Sequence, residues 1–234
     1  MFCNLNEVRE KAHALFEELN QTTEDFDKLL NGQISHEKWY RINKDRIPEN
    51  LRIESGCTRI VIWDNDECDF VYKINKYTDT IDYCAQEVAV YHKAMEYHVE
   101  DCFAWTEKLF DYCGVGIYAM EYCDVEADLL SSEAYEYAAR DYCEYNGYDY
   151  DNLSDEQEEE LRSAMEDCEY SETSGLMELA SSKMPTTLFE KFSEFVNKFE
   201  LCDLHAGNWG FRNHQLVLTD YAGYCVDLTE VLAG

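Results

Sequence analysis

The sequence predicts an α+β protein whose first part carries an antiparallel sheet and whose second part is mainly helical. Three observations lead there. Between residues 51 and 74, and again between 103 and 123, short apolar runs rich in Ile, Val, Tyr and Phe are separated by turn residues, which is the pattern of strands. In residues 4–30, and again across 133–199, apolar residues recur three and four apart, which is the pattern of helices. With 46% hydrophobic and 14% aromatic residues over 234 positions, the chain can bury a core of one two-lobed domain or two small ones.

In order along the chain, residues 4–20 place Leu5, Val8, Ala12, Leu15, Phe16 and Leu19 on one helical face. A shorter helix is expected after Thr22 and Thr23, which would cap it, with Phe26, Leu29 and Leu30 buried and Asn31-Gly32 as its stop. Residues 51–54, 58–63 and 69–74 read as three strands, the last two joined by a turn at 64–67. A helix is expected over 79–98, with Cys84, Val88, Tyr91 and Met95 as its buried face. Two further strands, 103–109 and 116–123, flank a turn at 111–114.

The stretch 124–182 is dense in Asp, Glu and Tyr. A helix is expected over 133–145, and Ser154-Asp-Glu-Gln157 has the form of a capping box opening another to about residue 168. Asn146-Gly147 and Ser174-Gly175 read as breaks, and the run of acids at 156–160 as a solvated face or a docking surface for a basic partner. After Pro185, Leu188, Phe192, Phe195, Val196 and Phe199 form one apolar stripe. A short hairpin follows, turning at Asn213-His214, with Gly207 and Gly210 as turn glycines.

Charge narrows the function. Fifty Asp and Glu against 19 Lys and Arg give a formal net charge of −31, a field that repels nucleic acid and anionic membranes and suits a basic protein partner. No direct nucleic-acid or membrane binding is therefore expected. The 11 cysteines lack paired C-x-x-C spacing, and Cys84, Cys102, Cys113, Cys123 and Cys143 lie at or beside apolar positions, as small core residues in a reducing compartment do. With no basic start followed by an apolar run, a cytoplasmic location is expected.

Asp203 and Asn208 stand five apart before the hairpin, and Asp220 follows its second strand. An Asp beside a substrate hydroxyl can orient it and accept its proton, while an Asn and a second Asp can hold Mg²⁺ through hard oxygens against nucleotide phosphates. Asp203-Leu-His-Ala-Gly-Asn208 and Asp220-Tyr-Ala-Gly223 resemble the catalytic loop and the D-F-G segment of the protein-kinase-like superfamily. The D-x-H-x-x-N form is similar to that of aminoglycoside and choline phosphotransferases and of short bacterial and phage kinase-like proteins. Leu201 and Cys202 replace the His and Arg of protein kinases, which removes a receptor for an activating phosphate. His205 is expected to pack or hydrogen-bond within the loop rather than bind a metal or act as base, having no second His or Cys at ligand spacing.

The resemblance implies a two-lobed, protein-kinase-like fold with an antiparallel-sheet first lobe and a reduced helical second lobe ending soon after Asp220. It divides the chain into a helical extension over 1–50, a first lobe over 51–123, and a truncated second lobe with an acidic insertion over 124–234. It gives Lys73, in Phe-Val-Tyr-Lys-Ile, the phosphate-binding role and Glu87 the task of holding it; the competing reading is two ordinary solvated charges. Ser55, Gly56 and Thr58 stand where a Gly-rich phosphate loop would be, with one glycine only. Met120, Glu121 and Cys123 fall at an adenine-binding hinge, with Asn208 and Asp220 on the metal and Asp203 as base. The cofactors implied are ATP and Mg²⁺, the acceptor an unidentified protein or small molecule. The chain's end after Gly223 is expected to leave no room for an activation segment and peptide-gripping helices. Three functions stay open: an active phosphotransferase, a kinase-like binding or regulatory module working through its acidic surface, and a nucleic-acid mimic acting by charge. The mimic leaves the ordered Lys, Glu, Asp, Asn and Asp unexplained.

Overall fold

The computed structural model describes residues 4–66, 69–76, 81–166 and 168–221. It is a mixed α/β protein that divides into two compact units, residues 1–92 with 105–122, and residues 93–104 with 123–234. The division falls within one helix and on either side of one strand pair.

In the first unit, helix α1 (Leu5–Thr22) buries Val8, Ala12, Phe16 and Leu19 along one stripe. Thr22 and Thr23 close this helix instead of capping the next, because their hydroxyls bond back to the carbonyls of Glu18 (2.8 Å) and Leu19. The chain turns through Asp25 at φ 58° into the short helix α2 (Phe26–Leu30). A helix the sequence reading did not contain, α3 (His36–Asn43), is capped by Ser35 and places Trp39 against Phe26 at 5.8 Å.

Five strands follow: β1 (Leu51–Ser55), β2 (Arg59–Asp64), β3 (Phe70–Asn75), β4 (Thr106–Tyr112) and β5 (Val115–Glu121). They form one antiparallel sheet in the order β1-β2-β3-β5-β4. Alternation along the strands gives the sheet two different faces. Ile53, Ile60, Ile62, Tyr72, Ile74, Ile117 and Ala119 share a core with α1, α2 and α3. The residues between them in β2 and β3, among them Arg59 and Lys73, face the other way, toward helix α4 (Tyr83–Glu96). The β4–β5 turn is at Cys113-Gly114, both left-handed at φ 50° and 82°, so β4 runs three residues beyond its expected end at 109. Residues 100–102 form a 3₁₀ turn where the strand was expected to begin nearby. Exposure of Cys113 at the turn corrects its reading as a core residue.

In the second unit, helices α5 (Ala127–Asn146), α6 (Asp155–Met165), α7 (Cys168–Lys183) and α8 (Thr186–Lys198) are followed by the hairpin β6 (Trp209–Arg212) and β7 (Gln215–Leu218). Gly147 ends α5 in the left-handed region at φ 71°, and Ser154 with Gln157 forms the capping box of α6. Gly175 is not a break. It lies inside α7, where a Cβ would stand 1.9 Å from the Ala134 carbonyl oxygen of α5, so glycine lets the two helices cross in contact. Gly210 is likewise a strand residue, its missing side chain giving room to Cys123 and Thr219. The α8 stripe buries Phe192, Phe195 and Val196, and Phe103 packs edge-on against Phe192, Phe195 and Tyr221. Among the described residues, no helix is long and apolar enough to cross a membrane.

Candidate active site residues

The first unit holds a buried charge cluster. Glu87 sits on the inner face of α4 in line with Tyr83, Val90 and Ala94, all buried, whereas Met95, expected there, is exposed. The expected helix start at 79–80 lies outside the described residues. Three bonds fix the beginning of α4. Asp82 accepts from the Ala85 amide (3.0 Å) and from the Tyr118 hydroxyl (2.7 Å), and the Asn75 side chain accepts from the Tyr83 amide (3.0 Å). One turn further on, Glu87 meets the sheet. Lys73 Nζ donates to both its oxygens, at 2.9 and 3.1 Å, and the Arg59 guanidinium donates to Oε1. The side chains of Glu87, Lys73 and Arg59 are only 1%, 8% and 11% exposed.

A carboxylate so deeply buried requires cations at hydrogen-bond distance, because its desolvation otherwise exceeds what the fold can offset. Lys73 and Glu87 are therefore not solvated charges. Burial, with the Glu87 charge adding to it, pushes the neighbouring Cys84 thiol well above its ordinary range, so it stays protonated. Tyr118, opposite Lys73 in the sheet, is also pushed up, by burial first and then by its bond to Asp82.

The β1–β2 turn is not a glycine cradle. Gly56 donates its amide to the Arg59 carbonyl (3.0 Å), and its own carbonyl accepts from Lys76 Nζ. A Cβ there would meet the Arg59 carbonyl oxygen at 3.9 Å, an ordinary contact, so nothing in the turn itself demands glycine. Ser55 and Thr58 flank it half-buried, with the Thr58 carbonyl bonded to the Lys76 amide at 2.8 Å. Met120 is buried between Val71 and Thr106. Glu121, half-buried at the end of β5, donates its amide to the Trp105 carbonyl (2.8 Å). Cys123 belongs to the second unit, against Gly210.

In the second unit, α8 leads into the loop carrying Asp203. Asn208 Nδ2 donates to the Asp203 carbonyl (2.7 Å), which closes the loop and leaves Oδ1 as the acceptor atom of the amide. His205 Nδ1 accepts from the Gly207 amide (3.1 Å), the local role expected of it, and its Nε2 stands 3.6 Å from the Asp203 carboxylate. That carboxylate is 42% exposed. Asn213 and His214, both at positive φ, turn the hairpin, and the Asn208 carbonyl then accepts from the amides of Thr219 (2.8 Å) and Asp220 (3.4 Å). Asp220 is thus carried back beside Asn208. Tyr221 anchors the segment, its hydroxyl donating to the Ala104 carbonyl at 2.9 Å. Ala222 and Gly223, the rest of the D-F-G-like segment, lie outside the described residues.

One amide oxygen and one carboxylate suit Mg²⁺, which takes few protein ligands and completes its shell with phosphate and water. Among the described residues, no group of three or more His, Cys, Asp and Glu side chains could hold a metal on its own. Arg59 was not among the residues expected at the site. Its signal was the alternation in Arg-Ile-Val-Ile, which puts Arg59 on the opposite face from Ile60 and Ile62 and the same face as Lys73.

No protein-family model matches the chain, and no curated protein matches it. Among solved structures, it is similar to the streptomycin–ATP–APH(2″)-IIa ternary complex, at 16% identity and a TM-score of 0.27, covering 81% of this chain and 72% of that one. It is also similar to the gentamicin–APH(2″)-IIa complex, at 15% identity and a TM-score of 0.28, covering 81% and 70%. Likenesses this low define neither fold nor function, so the chemistry rests on the chain's own side chains.

Proposed function

We propose that this chain is a kinase-like phosphotransferase that uses ATP and Mg²⁺ to phosphorylate a hydroxyl-bearing acceptor. The observation that carries the proposal is the buried pair of Lys73 with Glu87, bonded through both carboxylate oxygens. Such a pair orients an ammonium that can then meet phosphate oxygens. Asp203 orients the acceptor hydroxyl and takes its proton as the new oxygen–phosphorus bond forms and the bond from the γ-phosphorus to the bridging oxygen breaks. Asn208 and Asp220 are the residues that would hold Mg²⁺, whose charge neutralises that developing on the phosphate oxygens when it is bound. Met120, Glu121 and Cys123 would line the adenine, and Ser55, Gly56 and Thr58 the phosphates.

The test is release of ADP from ATP and Mg²⁺ in the presence of small hydroxyl acceptors and basic peptides. Turnover that falls at least about a hundredfold in Asp203→Ala, with ATP still bound, supports the assignment. Turnover unchanged in that variant contradicts it. A second reading, a kinase-like regulatory module for a basic partner, is favoured by the β1–β2 turn, where the Gly56 amide and carbonyl are already bonded within the protein.

A further inference from the structure

We infer that Arg59 is a positioning residue for Lys73: it keeps Glu87 paired while Lys73 turns to a phosphate. The inference rests on the proposed nucleotide site. Arg59 and Lys73 lie on neighbouring strands and one sheet face, two positions apart by register, since Val61 pairs with Lys73 and Arg59 with Asn75. Both donate to the same oxygen, Oε1 of Glu87, and Lys73 also donates to Oε2.

That sharing has a direct energetic consequence. An ammonium drawn toward a phosphate weakens its bonds to the carboxylate it leaves, and a buried carboxylate without a cation is strongly disfavoured. Were Lys73 the sole partner, every gain at the phosphate would be offset by loss at Glu87. With the guanidinium on Oε1, Glu87 keeps a cation against it throughout. Arginine suits the task, since it is always protonated and its planar fork holds a carboxylate without following a neighbour's movement. Arg59 also directly follows the β1–β2 turn, its carbonyl accepting from Gly56, so the same residue ties the turn to the cluster.

The experiment is calorimetric titration of inorganic tripolyphosphate, ATP with Mg²⁺, and adenosine into the wild-type protein, Arg59→Met and Arg59→Lys, with folding checked by circular dichroism. Arg59→Met should bind tripolyphosphate and ATP about tenfold more weakly, the scale of one lost charged hydrogen bond, with adenosine unchanged. Arg59→Lys should recover most of the difference. In a Glu87→Gln background the Arg59→Met effect should shrink, because the carboxylate through which it acts is gone. Should Arg59→Met fail to fold, Arg59→Lys and Arg59→Gln carry the same comparison.

Equal phosphate affinity in wild type and Arg59→Met would overturn the inference and leave the nucleotide site standing. So would an equal loss for adenosine, which marks general damage. Tripolyphosphate binding that depends on Arg59, without ATP binding, would support the inference and contradict the nucleotide reading. Absence of binding by either phosphate compound contradicts both.

Discussion

Glu87 is the residue on which the first unit's buried charge cluster turns, because a carboxylate 1% exposed is stable only against cations such as Lys73 and Arg59. Removing it takes from Lys73 and Arg59 the carboxylate they share. Glu87→Ala should lower unfolding free energy by about 3–5 kcal/mol in urea titrations, the usual cost of breaking a buried ion pair from one side. A loss below about 1 kcal/mol would place the cluster in water instead. Tyr112 gives a separate pH signature. Burial, and then its bond to Glu17, pushes the hydroxyl up to about 12, against an ordinary value of 10. The unfolded chain therefore releases this proton first, so its contribution is complete below pH 10 and is lost as pH rises toward 12. Tyr112→Phe should flatten that part of the thermal midpoint's fall between pH 10 and 12. Lys73 and Glu87 were legible from their order along the chain; Arg59 was not, because its meaning lies in cross-strand register and in a helix brought over the sheet.

Helix α7 crosses α5 at Gly175, and the contact is backbone to side-chain position, with no flexible atom to yield. Gly175→Ala should therefore destabilise by about 1–3 kcal/mol or more, although alanine is the better helix former. A rise in thermal midpoint would show that the helices do not meet there. Asp82 fastens α4 at its first turn and to β5; Asp82→Ala should cost about 0.5–2 kcal/mol and displace Glu87 from Lys73. The strands and α8 were readable because alternation and a Phe-rich stripe are local signals. Gly175 in Ser-Gly read as a breaker, since only the neighbouring helix reveals why the side chain is missing. Thr22 and Thr23 read as a cap for α2, but a threonine hydroxyl bonds equally well backward, and it does so here. Helix α3 is short, and its warrant is tertiary: Trp39 against Phe26, and Asn43 bonded to both backbone groups of Glu24.

A net charge of −31 over 234 residues sets the conditions in which both units work. Self-repulsion should make the folded protein more stable as salt is added, with the thermal midpoint rising between 20 and 300 mM NaCl before it levels as the Debye length contracts below about 10 Å. The same field opposes approach of a polyphosphate, so the nucleotide binding proposed above should depend on added Mg²⁺. The thermal midpoint of the intact chain with millimolar ATP, with and without Mg²⁺, beside Asp220→Ala, tests this most directly. Ligand at a hundredfold excess over its dissociation constant adds about 2.7 kcal/mol of stability. A rise that requires Mg²⁺ and disappears in Asp220→Ala is expected; a midpoint indifferent to ATP, or a rise that survives the substitution undiminished, would rule out the proposed nucleotide site.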